Sequence, residues 1–524
     1  AAPASKSASI SALLNPASAS TAPVWAPVSG AGLITLFNPV IVSGNITIGL
    51  PGSTDQLRID TKPYLYSGLN ASGRGKTVTV AGGILTLASG PGESYSVENF
   101  IVQNGAALIF AFKVALPNTL LTANTGSYVG VANGVLSDES QGFDVTSPYG
   151  PADLIAKISP ANFAGTFGFD SEDSLLPATY AGTLDFSAFK HATFGGLSTA
   201  SSAILGSGAT LFAPTGTGSA PLAFSALNSG YLQVDTALLA AHNFTQGIVI
   251  GRDDGSGDKG TVALTNSGNT YTGGTTLKSG TLSVRAATAL GTGAITAVNA
   301  TTAPTSSADA PKLTTTANGR GALGLTIAND LVVNTSYASG SYGLGIGGID
   351  DFTLSGLISG AGVIDKYGPG TLTFTGNTTA FTGKLNVLAG TLSIGTGGTT
   401  GSITGAVVNN ATLAFNRSDA LTYGGVISGS GALNKFGLGT LTLTGASTYT
   451  GSTFINAGVL RVGADNALPT AGTVSLAGGA TLDLAANQTL AGVSGPALAS
   501  VTVGAVKTLT INATANEIGR ASCR

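Results

Sequence analysis

The stretch Gly439-Thr-Leu-Thr-Leu-Thr-Gly-Ala-Ser-Thr-Tyr-Thr-Gly-Ser-Thr-Phe-Ile-Asn-Ala-Gly-Val-Leu-Arg-Val462 decides how this chain is read, because variants of it occur twice upstream. One runs from Gly260-Thr-Val-Ala-Leu264 to Gly280-Thr-Leu-Ser-Val284, the other from Gly370-Thr-Leu-Thr-Phe374 to Gly390-Thr-Leu-Ser-Ile394. Self-similarity of this kind marks a repeat architecture, in which each unit buries its apolar face only by stacking on the next.

Within the copies, small polar residues alternate with apolar ones, as in Thr371-Leu-Thr-Phe374, Thr412-Leu-Ala-Phe415 and Thr481-Leu-Asp-Leu484. A period of two means strands with one buried face. Leu372, Leu392, Leu413 and Leu433 recur at intervals of 20, 21 and 20 residues, and Leu441, Leu460 and Leu482 at 19 and 22. That interval is too long for a hairpin ladder and suits one turn of a solenoid. Pairs such as Ala389-Gly390, Asn409-Asn410 and Ala457-Gly458 fall between the strands, where sharp corners need positive φ. The pattern predicts an all-β chain, a right-handed parallel β-helix (β-solenoid) with about 20 residues per coil. A longer period overlies it: Ile358-Ser-Gly-Ala-Gly-Val-Ile-Asp-Lys-Tyr-Gly-Pro-Gly370 matches Ile427-Ser-Gly-Ser-Gly-Ala-Leu-Asn-Lys-Phe-Gly-Leu-Gly439 at an offset of 69 residues, or three to four coils.

Composition agrees. The 524 residues include 77 glycines, and only 9% are charged. No long apolar run recurs at helical spacing, so very little helix is expected. The longest strongly apolar run, Ala106 to Leu116, is about half a bilayer span and contains Lys113, so no transmembrane helix is expected. A mean hydropathy of +0.35 therefore reflects Ala, Val and Leu in strands. A net charge of −3 without a Lys/Arg cluster argues against nucleic acid as a partner. Cys523 is the only cysteine, which fits a cytosolic chain or a secreted one that must stay unlinked while crossing an outer membrane.

Four segments are expected. Residues 1–27 form a flexible Ala/Ser/Pro-rich leader ending near Trp25, and its start without Met suits a processed secretory chain or an incomplete one. Residues 28–190 form an irregular N-terminal β region with acidic loops. Residues 191–511 form the β-helix proper. Residues 512–524 are a tail, partly artefactual, because Glu517-Ile-Gly-Arg-Ala-Ser-Cys-Arg524 reads as a translated sequencing adaptor.

Asn269-Thr-Tyr-Thr-Gly-Gly-Thr275 followed by Ser279-Gly-Thr-Leu282, and Ser447-Thr-Tyr-Thr-Gly-Ser-Thr453 followed by Ala457-Gly-Val-Leu460, resemble the autotransporter-associated β-strand repeat of type V secretion passenger domains. Thr379-Ala-Phe-Thr-Gly383 departs from it by placing Phe381 where the family has Tyr. The resemblance covers about 250–490 and implies a secreted or cell-surface passenger of a Gram-negative-type bacterium, outside the cell or attached to its outer membrane. It also implies an outer-membrane β-barrel in a C-terminal part beyond this sequence. The family repeat is structural and carries no catalytic residue.

Gly343-Leu-Gly-Ile-Gly-Gly348 satisfies GxGxxG, but the strand-like Asp351-Phe-Thr-Leu354 follows where a phosphate-binding helix should begin. Asn70-Ala-Ser-Gly-Arg-Gly-Lys-Thr77 lacks the first P-loop glycine and reads as a turn. His191 and His242, the only histidines, adjoin no nucleophile motif and lack cysteine co-ligands for zinc. Asp253-Asp-Gly-Ser-Gly-Asp258 is the best calcium candidate, yet it is too short for an EF-hand and lacks its terminal Glu. Residues 138–185 hold eight acids (Asp138, Glu139, Asp144, Asp153, Asp170, Glu172, Asp173 and Asp185) against the single base Lys157. Solvated loops explain them, although any ligand or Ca²⁺ contact is expected there before the regular coils.

No catalytic, cofactor-binding or metal residue is therefore assigned, and no cofactor is expected. The expected function is that of a non-enzymatic passenger, a rigid stalk or adhesin scaffold meeting an unknown surface ligand such as a polysaccharide or a host or neighbour cell surface. Two alternatives stand beside it: a pectate-lyase-like polysaccharide-active enzyme and a self-associating surface fibre protein. Lys278, Lys384 and Arg461 are too scattered for the clustered charges such an enzyme needs.

Overall fold

The structure is a computed structural model. It describes residues 343–512 without interruption and, upstream, 24–25, 33–36, 40–42, 46–52, 56–61, 69–71, 77–89, 99–111, 120–124, 126–133, 151–171, 178–196, 202–215, 218–226, 230–252, 259–298, 310–315 and 324–335. The chain forms two compact units, Ala1–Gly273 and Gly274–Arg524.

In the first unit every strand pairs in parallel with its neighbours. One sheet stacks Val24–Trp25, Ile46–Ile48, Thr77–Val80, Asn99–Val102, Leu120–Ala123 and Ile158–Phe163. A second runs from Leu33–Leu36 through Gln56–Thr61, Gly83–Ser89, Ala106–Ala111, Tyr128–Asn133, Thr166–Ser171, Thr193–Gly196 and Leu222–Ala226 to Ile248–Ile250. The core here is aromatic. Phe167 lies in register with Phe194, and Phe194 with Phe224. Phe186 meets Phe167 edge-on at 5.9 Å and Phe189 at 5.4 Å. Gly168 sits beside this stack with the hydroxyl of Tyr128 over it, and a Cβ at Gly168 would lie 1.6 Å from the Gly195 carbonyl oxygen. A side chain at that position would force the two strands apart. One short helix, Pro151–Lys157, departs from the strand texture.

In the second unit the first sheet takes Thr275–Leu277, Ile295–Ala297, Leu331–Val333, Ile358–Gly360 and Ala380–Phe381. The second takes Thr281–Val284, Lys312–Thr314, Leu344–Gly347, Val363–Tyr367, Lys384–Val387, Val407–Asn409 and Ile427–Ser428. The third takes Leu325–Ile327, Phe352–Leu354, Thr371–Phe374, Thr391–Ile394, Thr412–Asn416, Ala432–Phe436, Thr453–Ile455, Thr473–Leu476 and Gly492–Ser494. The fourth takes Leu421–Tyr423, Thr440–Leu443, Val459–Val462, Thr481–Leu484 and Ser500–Val503; Gln488–Leu490 pairs with Leu509–Ile511. The chain visits the sheets in turn and all the pairings are parallel, which is a parallel β-helix.

The leucines found by spacing stand in columns. Leu372 pairs with Leu392, Leu392 with Leu413 and Leu413 with Leu433, and all four are fully buried. Leu441, Leu460 and Leu482 form a second column. Burying a leucine contributes about 1.5–3 kcal/mol, and its neighbours in the column remove it from water, so no coil is stable by itself. Corners follow from glycine: Gly390 and Gly458, at the same place in two copies, adopt φ of 64° and 63°, a region that costs an L-residue with a side chain roughly 1 kcal/mol or more.

Candidate functional site

The repeat's own corners hold the most distinctive chemistry among the described residues. In Val363–Tyr367 and Ala432–Phe436 the alternation that buries Ile364 and Leu433 also turns Lys366 and Lys435 inward. The two lysines are 69 residues apart, at matching places in two copies, and are exposed by 0% and 2%.

Each ammonium is satisfied by three backbone carbonyls. Lys366 Nζ donates to Tyr367 O at 3.0 Å, Gly368 O at 2.8 Å and Ala389 O at 2.8 Å. Lys435 Nζ donates to Phe436 O at 2.7 Å, Gly437 O at 2.8 Å and Ala457 O at 3.1 Å. Two acceptors belong to the lysine's own corner and the third to the next coil, so one cation ties neighbouring corners. Three donors meet three acceptors, which meets the requirement that a buried charge be fully bonded. Burial nonetheless pushes Lys366 down to about 8, against the pull of the Asp351 carboxylate, and takes Lys435 to about 8.

The corner residues point outward. Leu438 is 80% exposed, and Pro369 is exposed at the equivalent place. Asp365, next to Lys366, is buried; it accepts the Gly343 N–H at 2.8 Å and the Asn386 side-chain amide at 2.7 Å. At the aromatic position of the motif, Tyr271, Phe381 and Tyr449 are all buried, so Phe fills the site as Tyr does. The Tyr449 hydroxyl lies 2.6 Å from Thr453 Oγ1, and burial raises its pKa above the ordinary phenol value although that bond lowers it.

Where the candidate motifs fall among the described residues, they take ordinary places. Gly343–Gly348 lies in and beside strand Leu344–Gly347, which pairs with Lys312–Thr314 and Val363–Tyr367, so it forms no phosphate loop. Of Asn70–Thr77, the ends belong to strands Leu69–Ala71 and Thr77–Val80, and the middle lies outside the described residues. His191 is exposed, and the His242 ring packs on Phe212 with centroids 4.7 Å apart. Asp253–Asp258 lies outside the described residues, as do Asp138, Glu139, Asp144, Glu172 and Asp173. Asp185 is exposed and accepts the Ser187 N–H at 2.8 Å. Among the described residues no three His, Cys, Asp or Glu side chains gather as a metal site. Of the scattered cations, Arg461 pairs with Asp483 at 3.5 Å on the outer face, and Lys384 is exposed.

Both lysines lie in the segments related by the 69-residue offset, and residue type alone does not mark them as buried. Parity was the available signal, since Lys435 is two residues from Leu433 in a strand and shares its face.

Comparison with known proteins matches the passenger-associated-transport-repeat family at residues 258–284, 364–394 and 433–462. A curated relative, an adhesin autotransporter named BmaC from Brucella suis biovar 1 (strain 1330), is 43% identical over 119 residues, which is 22% of this chain and 4% of the relative. The chain thus spans a small fraction of that protein's length. No solved structure matches. No helix among the described residues is long and apolar enough to cross a membrane, which leaves β-barrel crossing untouched. Three matches to one repeat family thus lie on parallel stacked strands, and over part of its length the chain is similar to an adhesin autotransporter.

Proposed function

We propose that the chain is a non-enzymatic passenger whose stacked coils act as a rigid stalk and adhesin scaffold. The observation that carries this reading is that the strands of each of the three matched repeats are stacked in parallel on neighbouring strands. A column of this kind resists bending because each coil is bonded backbone to backbone with its neighbours. The similarity to an adhesin supports contact with a surface ligand, a polysaccharide or a host or neighbour cell surface. An outer-membrane β-barrel as C-terminal anchor belongs to the same reading.

The test is binding without turnover. The purified chain is applied to cells and to a polysaccharide panel, with an Asp138→Asn/Glu139→Gln/Asp144→Asn variant alongside, which leaves the stacked strands of the first unit in place. Saturable binding with no new reducing ends or unsaturated sugars is expected, and the charge-neutralised variant should lose it while circular dichroism stays β-rich. Turnover lost on changing one Asp would replace this reading with the lyase-like alternative.

A further inference from the structure

Each copy of the repeat ends in two strands, and the sheets of the second unit show where those strands go. The penultimate strands Thr275–Leu277, Lys384–Val387 and Thr453–Ile455 belong to the first, second and third sheets. The last strands Thr281–Val284, Thr391–Ile394 and Val459–Val462 belong to the second, third and fourth.

The fourth sheet continues the side of the first. Leu421–Tyr423 comes after a third-sheet strand and before the second-sheet strand Ile427–Ser428, the place that Ala380–Phe381 holds two coils earlier. Hydrogen bonds bridge the gap: the Tyr423 hydroxyl donates to Gly405 O at 2.7 Å, and the Thr404 hydroxyl donates to Phe381 O at 3.1 Å. The column therefore has three sides. From Gly370 to Gly439 the chain passes Thr371–Phe374, Thr391–Ile394, Thr412–Asn416 and Ala432–Phe436 on the third sheet and then enters the fourth with Thr440–Leu443. The 69-residue offset is thus three coils plus one side.

We infer that the repeat advances one side of the column per copy, so that the lysine-closed corners and the tips they hold face different sides. The tips in question run from Tyr367 to Pro369 and from Phe436 to Leu438; Lys366 holds the Tyr367 and Gly368 carbonyls, and Lys435 those of Phe436 and Gly437. A rigid partner lying flat along this unit, a second copy of the chain included, meets the tip of one copy only. The repeats then offer separate single contacts on several sides and do not form a zipper along one edge.

The experiment measures two distances. Spin labels are placed at Pro369→Cys with Ser430→Cys, and at Pro369→Cys with Leu438→Cys, in a Cys523→Ser background. Ser430 stands on the edge of Pro369, because Lys366, Val387 and Asn409 are in register and Val408 pairs with Ser428. All three positions are exposed. At about 4.8 Å per coil the first pair is expected near 14 Å, and the second, which also crosses a third-sheet strand, at roughly 20–25 Å. Equal distances, or a Leu438 label nearer than the Ser430 label, would mean that the copies stack in phase and would overturn the inference. Should Pro369→Cys disturb its corner, Ile349→Cys on the same edge adds about one coil to both distances.

Discussion

The two units fill the same kind of core with different side chains. In the first, Phe167, Phe194 and Phe224 stack in register, and glycines beside them let the strands close. In the second, Leu372, Leu392, Leu413 and Leu433 form a column, and buried lysines close two of the corners. Parallel stacking fixes the spacing of the backbone and leaves the filling to local volume. An aliphatic column repeats its sequence, whereas an aromatic one interlocks rings of neighbouring coils and need not.

The largest effect should come from charge in the aliphatic column. Leu441→Asp places an unpaired carboxylate among buried leucines and should cost several kcal/mol, on the order of 3–5. Thr442→Asp, on the outer side of the same strand, should change stability by about 0.5 kcal/mol or less. Denaturant midpoints of the two variants check this, and equal losses would show that the strand phase is wrong.

Phe194→Ala tests the aromatic side of the comparison. It opens a cavity between Phe167 and Phe224 and should cost about 3–5 kcal/mol, with the first unit losing protection in limited proteolysis before the second. Loss confined to the second unit would contradict the separate cores.

Lys435→Met removes the cation and leaves the carbonyls of Phe436, Gly437 and Ala457 without their donor. A cost of about 1–3 kcal/mol is expected, since relief of lysine desolvation offsets part of the loss. Lys384→Met, at an exposed lysine, should cost about 0.5 kcal/mol or less. Hydrogen exchange at the two corners separates these outcomes, and equal protection in both variants would remove the lysine from its role.

A pH dependence is also expected. Lys366 and Lys435 lose their protons near pH 8 when folded, against 10.5 for an exposed lysine. Between those values the unfolded chain binds more protons, so stability should rise as pH increases from about 8. Tyr367 works the other way, because its pKa rises from 10.0 to about 12 on folding, and stability that depends on it is lost above pH 10. The rise should therefore appear between pH 8 and pH 10 and should flatten in the Lys366→Met/Lys435→Met double variant. A rise that persists unchanged there would assign it to other groups.

Much of the second unit was legible because each inward leucine in the sequence has a register partner one interval away. Two features were hidden for physical reasons. The buried lysines are masked by residue type, which favours solvent, while strand parity places them inside. The advance of the copies around the column was present in an offset that is not a whole number of coils, but only strand pairing reveals which sheet a strand joins. In the first unit, Phe186 and Phe189 pack from a strand end and a turn, where no periodicity announces them. The acidic stretch 138–185 was read as loops, and within it the structure adds the helix Pro151–Lys157 and strands including Thr166–Ser171.

The parallel stacking of the repeat coils is most directly tested by cysteine pairs on the outer face. In a Cys523→Ser background, Thr442→Cys with Arg461→Cys joins residues in register on neighbouring strands. Their Cα atoms, about 4.8 Å apart, fall within disulfide range. Rapid oxidation to an intramolecular disulfide is predicted for this pair, and none for Thr442→Cys with Asp483→Cys, which lies one coil further. Failure of the first pair to close, or closure of both at equal rates, would contradict the stacked parallel coil.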